Sequence, residues 1–474
     1  MRALLVLILF LSACTSMQVE NHLRQFNNAK ELNLSGDKDK ALSLWKELCE
    51  KKHKASCLLV GKDVTWHPGL AVMQGSTDMT STTFAILERK NEFNQAFVYD
   101  LESKTIINSS RGAGSQNDFS EWRMSHFTFD KLKAGKEYTL VMMSGQGELT
   151  DYRKFKTLNK NKQNLKMAVT SCMADHYIEE QKMQWQDLAS FKPDVLFMIG
   201  DNVYIDWGLK GLLKKVDEKM IWNRHVETRN KLEIFRQKEL IPVFATWDDH
   251  DYGANNGGMN FPHKEDSKDI FLRFFPMIEN DVVVSKGPGV SSAVKISKQN
   301  FLFMDDRYFR TPRNLKSVQS HFGEAQTKWA LDQIKKSKGP VWIISGDQFF
   351  GGYHDYESFQ GNHPDDFKKF LSYIRKTKKK VVFVSGDRHL SEIMEIPKKH
   401  LGYKTYELTS SGIHSTTYPG ATKRDVNPLA IEAVDGVINY MIIDSQVKNK
   451  TLEIDIKDYG VNKNLLFKKK LKVH

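Results

Sequence analysis

Three familiar catalytic signatures are missing from this chain. It has no Gly-x-Ser-x-Gly elbow, no Walker phosphate loop and no Gly-x-Gly-x-x-Gly fingerprint. Serine-hydrolase, nucleoside-triphosphatase and dinucleotide-dehydrogenase readings therefore have no seat. Cysteine is scarce, with 4 residues in 474, too few for a disulfide scaffold. Long apolar runs are absent except at the extreme N-terminus, which excludes a multi-span membrane protein. The net charge of +12 is mild for this length. It suits anionic partners or surfaces but does not indicate a nucleic-acid-binding protein. What remains is 40% apolar and 27% charged, the profile of a globular chain long enough for about three domains.

The N-terminal run is an address. Arg2 is followed by the short apolar stretch Ala3–Leu11 and then by Leu11-Ser12-Ala13-Cys14. A positive start, a short apolar core and small residues before a cut describe a secretory signal over residues 1–13. The cut resembles the bacterial lipobox, which implies lipidation of Cys14. Several acyl chains, at about 0.8 kcal/mol per buried CH2, give stable anchoring. Thr15 is not the Asp typical of inner-membrane retention. The expected location is the bacterial envelope, lipid-anchored in the outer membrane and facing the periplasm.

Residues 14–62 hold the lipidated Cys, a linker and a helical hairpin. Ala41, Leu44, Trp45 and Leu48 recur at helical spacing, with Asp37 as N-cap. The stretch resembles one unit of the cysteine-rich Sel-type repeats, related to tetratricopeptide repeats. That resemblance, in an oxidising compartment, implies a Cys49–Cys57 disulfide. Read without it, the segment is an ordinary helical spacer. Residues 63–160 read as strands broken by Gly, Asn and Asp turns. Within them KLKAGKEYTLVM resembles the turn and Tyr-bearing strand of fibronectin type III-like sandwiches.

From residue 161 to the end the pattern is strand, loop, helix. MAVTSC, DVLFMIGD, IPVFATWDDHD, NFLFMDDR, VWIISGD and VVFVSGDRH are near-continuous apolar runs, each ending in polar residues. Such strands are buried on both faces, so the fold class is α/β. Polar groups at strand C-termini sit where open α/β sheets place ligands. QKMQWQDLASF and EAQTKWALDQIKKS are the expected helical connections. The residues after 436 read as a terminal hairpin, and FKKKLK as edge protection.

Those strand ends present Cys172, Asp201, Asp248, Asp249, His250, Asp347, Asp387 and His389. Gathered on one edge, so many acids need cations between them. The pattern predicts a multi-metal centre. Carboxylates suit hard ions such as Ca2+ or Mn2+, while a thiolate and a phenolate, Cys172 and Tyr204, suit Fe3+.

The order of motifs SCMADHY, GDNVYID, WDDHDYGANN, MDDRYFR, SGDQFF, SGDRHLSEI and ELTSSGIH over residues 164–446 resembles the PhoD-like alkaline phosphatases/phosphodiesterases of the calcineurin-like metallophosphoesterase superfamily. The resemblance implies a metallophosphoesterase-like sheet sandwich flanked by helices, preceded by the fibronectin-III-like sandwich and the hairpin. It implies an iron–calcium centre, with other divalent ions as alternatives. Cys172 would ligate iron, where most of the superfamily has Asp-x-His. Asp201 would bridge metals and Tyr204 would be an iron phenolate. Asp249 would be a ligand facing phosphate, and His250 would protonate the leaving group. Asp248 would serve calcium or stand just behind the ligands. Asp387 and His389 would close the site, and Asp347 would be a further ligand. Asn255, Asn256 and Arg388 would contact substrate.

The function so implied is metal-dependent hydrolysis of phosphate mono- or diesters by an envelope-anchored monomer, with metal-activated water as nucleophile. The competing reading is a non-catalytic envelope binding lipoprotein with a decayed phosphatase domain. Asp306 and Arg307 read as a buried ion pair. His176, His225, His263, His354 and His414 read as surface residues or residues behind the site, with His414 also a candidate phosphate contact.

Overall fold

The computed structural model describes residues 19–90, 92, 95–108, 110–111, 115–116, 119–207, 216–312 and 319–474. The expected signal and Cys14 lie outside these residues. Among those described, no helix is long and apolar enough to cross a membrane. The chain divides into two compact units. The first comprises residues up to Val72, Thr80–Thr157 and Arg236–Leu240; the second comprises Met73–Met79, Leu158–Phe235 and Ile241–His474.

In the first unit, residues 19–34 are helical and precede the helices Lys38–Glu50 and Lys54–Leu59. Ala41, Trp45 and Leu48 are buried, as their 3.6-residue spacing requires. Asp37 precedes the helix but makes no side-chain cap bond; its carboxylate pairs instead with Lys40 at 2.6 Å. Cys49 and Cys57 form a disulfide. Phe26 and Trp45 pack on Phe97 and Tyr99, so the helices bury their apolar face on the sheet strand Gln95–Asp100.

That strand lies between Thr105–Asn108 and Glu137–Met143, all antiparallel. A second sheet pairs Thr82–Arg89 with Trp122–Phe129, residue for residue. Phe84, Phe127, Phe129, Tyr138 and Phe155 fill the space between the sheets. The Tyr138 hydroxyl accepts from the Lys133 amide at 2.8 Å, the back-bond of a tyrosine corner.

The second unit is built on seven strands: β1 (Asn164–Thr170), β2 (Val195–Ile199), β3 (Val243–Thr246), β4 (Gln299–Phe303), β5 (Val341–Ile344), β6 (Val381–Ser385) and β7 (Thr405–Thr409). β1, β2 and β3 are parallel neighbours in one sheet. β4 to β7 are parallel neighbours in the other. The hairpin Tyr440–Lys448/Thr451–Tyr459 extends the first sheet from β1, and Leu465–Val473 pairs with it as the Lys-rich edge strand.

The two sheets share one apolar layer. Val169, Phe197 and Phe244 meet Phe301, Phe303, Trp342 and Val384 there. Phe197 stands 5.1 Å from both Phe301 and Phe303 between ring centroids. The outer face of the second sheet is covered by α3 (Gly323–Lys336) and α4 (Pro364–Thr377); α1 (Ile178–Ser190) and α2 (Glu218–Lys231) occur earlier in the chain. Helix α4 shows why these connections are helical. Phe367, Phe370, Leu371 and Ile374 form its buried stripe, Pro364 and two Asp open it, and Arg375 and Lys376 close it.

Candidate metal centre

All seven strands are parallel within their sheets, so their C-terminal ends carry the polar loops to one edge. The Gly-Asp pairs exist because those loops crowd each other. A Cβ on Gly200 would lie 2.8 Å from the Asp248 Cβ, at φ +127°, and one on Gly346 would lie 2.6 Å from the same atom. Both contacts are closer than real Cβ atoms tolerate, so only glycine lets β2 and β5 close on the loop after β3.

Asp201 stands at the middle of the cluster. Its Oδ2 accepts from the Cys172 thiol and the Tyr204 hydroxyl, each at 3.4 Å, and its Oδ1 accepts from the His250 amide at 3.3 Å. Three sets of ligand atoms lie within 4.8 Å of one another: Cys172, Asp201 and His389; Asp201, Asp249 and His250; Asp201, Asp248, Asp249 and Asp387. Asp201 belongs to all three. The Tyr204 hydroxyl is also 3.4 Å from His389 Nε2. Cys172, Asp201, Asp387 and His389 all have positive φ, between 51° and 63°. For residues with a Cβ this left-handed backbone costs about 1 kcal/mol or more apiece and persists where the surroundings over-determine it, as at active sites.

The electrostatics are those of acids short of cations. Burial, then the neighbouring carboxylates, push Asp201 far above the usual carboxylate range. Burial and the Asp249 charge push Asp387 up to about 7. Burial raises Cys172 and Tyr204, with nearby anions adding to it. Burial lowers His389 to about 4, so its imidazole is neutral and able to ligate. Asp249 is the exception: Arg307 and His250 overcome its burial and bring it to about 2.

Positively charged partners are few and already engaged. Asp248 Oδ1 is held by Arg307, with Nε at 2.5 Å, leaving Asp248 Oδ2 buried with no partner among the described residues. His389 Nδ1 is in the same condition. Unpartnered buried acceptors beside crowded acids, a thiol and a phenol fit a site for two or more cations.

The structure separates the remaining sequence candidates. Asp347 belongs to none of the three sets; it faces His321 at 3.2 Å and Arg310 at 3.3 Å. Arg307 is fully buried and grips Asp248 and Glu357, with Asp306 3.7 Å away. The ion pair expected at 306–307 thus centres on Asp248. Asn256 donates its amide to Asp249 Oδ2 at 2.7 Å. Asn255, Asn256 and Arg388 line a cleft of about 670 Å3 together with Asp201, Asp249, His250, Asp387 and His389. Of the other histidines, His225, His354 and His414 are buried. His414 accepts from Trp185 at 3.0 Å and stands outside the cleft lining.

One group was missed. His250 Nδ1 lies 2.6 Å from Asp206 Oδ1, and Asp206 Oδ2 accepts from the Asn255 amide at 2.9 Å. Asp249, Asp201 and Asp206 outweigh burial and raise His250 well above the ordinary imidazole range. Its signal was present as the final Asp of GDNVYID, but nothing local shows that it meets a histidine 44 residues on.

The fold and edge cluster together define a two-sheet α/β sandwich carrying a metal-type centre at the strand ends. No protein-family model matches the chain, and no curated protein matches it. Among solved structures it is similar to one titled "Structure of PhoD". The TM-score is 0.66 and the identity 16%, over 86% of this chain and 93% of that one. The chain shares that protein's fold.

Proposed function

We propose that this chain is a metal-dependent hydrolase of phosphate esters, with the iron–calcium composition implied by its resemblance to the PhoD-like enzymes and compatible with its thiol, phenol and carboxylate donors. The observation that carries the reading is three overlapping sets of ligand atoms that share Asp201 and draw in Cys172, Asp248, Asp249, His250, Asp387 and His389, with Asp201, Asp249, His250, Asp387 and His389 reaching the wall of an open cleft. Cys172, Tyr204 and His389 would hold the softer ion, and the carboxylates the harder one, with Asp201 shared. Cations held there supply positive charge to the phosphoryl oxygens and make nearby water more acidic.

The chain's own groups do the rest. Asp206 fixes the His250 ring, and Asp249, Asp201 and Asp206 together favour its protonated form, so His250 can donate a proton to the departing ester oxygen. The backbone amides of His250 and Asn256 orient Asp249. Arg388 lines the cleft, where its guanidinium would offer a charged donor to phosphoryl oxygens. The N-terminal signal and Cys14 support an envelope lipoprotein. An inhibitor of lipoprotein signal processing is expected to retard its electrophoretic mobility, and unchanged mobility refutes the anchor.

The test of the centre is elemental analysis of the purified lipid-free chain, beside hydrolysis of p-nitrophenyl phosphate and its bis ester. Bound iron and calcium, with activity lost on chelation, are expected, and the two rates rank monoester against diester. A metal-free protein still inactive after reconstitution overturns the hydrolase reading in favour of a binding lipoprotein.

A further inference from the structure

The cleft is much larger than a phosphate group needs, and its outer wall has a chemistry of its own. Tyr356 and Tyr418 each leave 49% of their surface exposed there. Exposed aromatic rings are normally mobile, but these two are held. The Arg388 guanidinium lies 4.5 Å from the centroid of the Tyr356 ring. Arg424 donates to the Tyr356 hydroxyl at 3.2 Å. Asp425 in turn pairs with Arg424 at 3.1 Å and faces Arg388 at 3.7 Å, so it ties both cations to that wall. Tyr418 stacks on His389 with ring centroids 5.5 Å apart and planes within 15°. Each ring therefore has one face backed by a cation or an imidazole, while half of its surface stays open.

Two pre-positioned aromatic faces at the rim of an otherwise polar site are a recognition device. A ring held in place loses little entropy when a second ring stacks on it. The Tyr418 position starts this surface directly beside His389, so a flat group joined to the reacting phosphate through one sugar falls within its reach. At about 670 Å3 the cleft accommodates a ligand of nucleotide size.

We propose that the cleft selects phosphate esters whose alcohol carries a planar heteroaromatic ring, the nucleoside class, with Tyr356 and Tyr418 as the stacking surfaces. The hydrolysis arm of the test rests on the function proposed above; the binding arm does not.

The comparison is 5′-AMP against ribose 5-phosphate, which share the ester and the sugar and differ only in the base. Dissociation constants from calorimetry and kcat/KM values are measured on the full metal-loaded chain. AMP is expected to be preferred about ten- to a hundredfold in both readouts, the range one stacked base supports. Y356A/Y418A should bring the ratio close to one, while Y356F/Y418F should keep it. An equal preference in the wild type, or a ratio untouched by the double alanine variant, overturns the proposal. Tighter AMP binding without hydrolysis leaves the stacking subsite standing and overturns the catalytic reading. Equal hydrolysis of both esters does the reverse, and failure to bind or cleave either one overturns both.

Discussion

His225 gives a quantitative test of the second unit's packing. It lies on α2, 1% exposed, with its ring 4.8 Å from Phe274. Neither ring nitrogen has a partner among the described residues. Burial first, then the charges of Arg229 and Arg224, lower its pKa to about 3. The unfolded chain holds an ordinary histidine near 6.5. Between those values the unfolded state binds a proton that the native state refuses. Stability is thus full above about pH 6.5 and falls as the pH drops toward 3. The linkage relation makes the loss between pH 7 and pH 5 about 2 kcal/mol for this one residue. His225→Leu removes the titration. Its packing change alters stability at both pH values alike, so the diagnostic quantity is the difference between them. Urea midpoints of the second unit at pH 7 and pH 5 should show the variant gaining about 2 kcal/mol on wild type over that interval. A constant offset between the two proteins would refute the argument that the imidazole is buried without a proton acceptor.

Asp206→Asn should lower kcat about 10-fold or more, with a smaller effect on KM, because it removes the carboxylate that holds the His250 proton; steady-state kinetics check this. Arg307→Met leaves the buried Asp248 carboxylate without its counter-ion and should destabilise the metal-free protein by about 3–5 kcal/mol. Adding Asp248→Asn to it should recover much of that loss in denaturant titrations. Saturating cation at about 100 times Kd should stabilise the wild type by about 2.7 kcal/mol. Asp201→Asn should abolish the gain, because Asp201 belongs to every ligand set. An undiminished gain in that variant would remove Asp201 from the centre.

Much of the second unit was legible in the chain because its strands announce themselves locally. VLFMI and VVFVS are too short and too apolar for a surface helix, and their polar ends fall at the edge where ligands bind. The crowding at Gly200 and Gly346 is the physical content of their Gly-Asp pairs. The tyrosines of the stacking wall carry no such mark. Tyr356 and Tyr418 lie in separate loops, and only the closure of those loops puts both on one cleft.

The amino-acid pattern by itself therefore determined the element types, the run of strands before the α/β unit and which strand ends are polar. These depend on periodicity and on short-range turn chemistry. The tertiary structure decided which polar ends are free to hold ions and which are neutralised. Asp347 is engaged by His321 and Arg310, and Asp248 shares its carboxylate with an arginine 59 residues away, while Asp201 is left among acids. Pairing between charges is a matter of distance in space, and parallel sheets bring together residues that no local pattern connects.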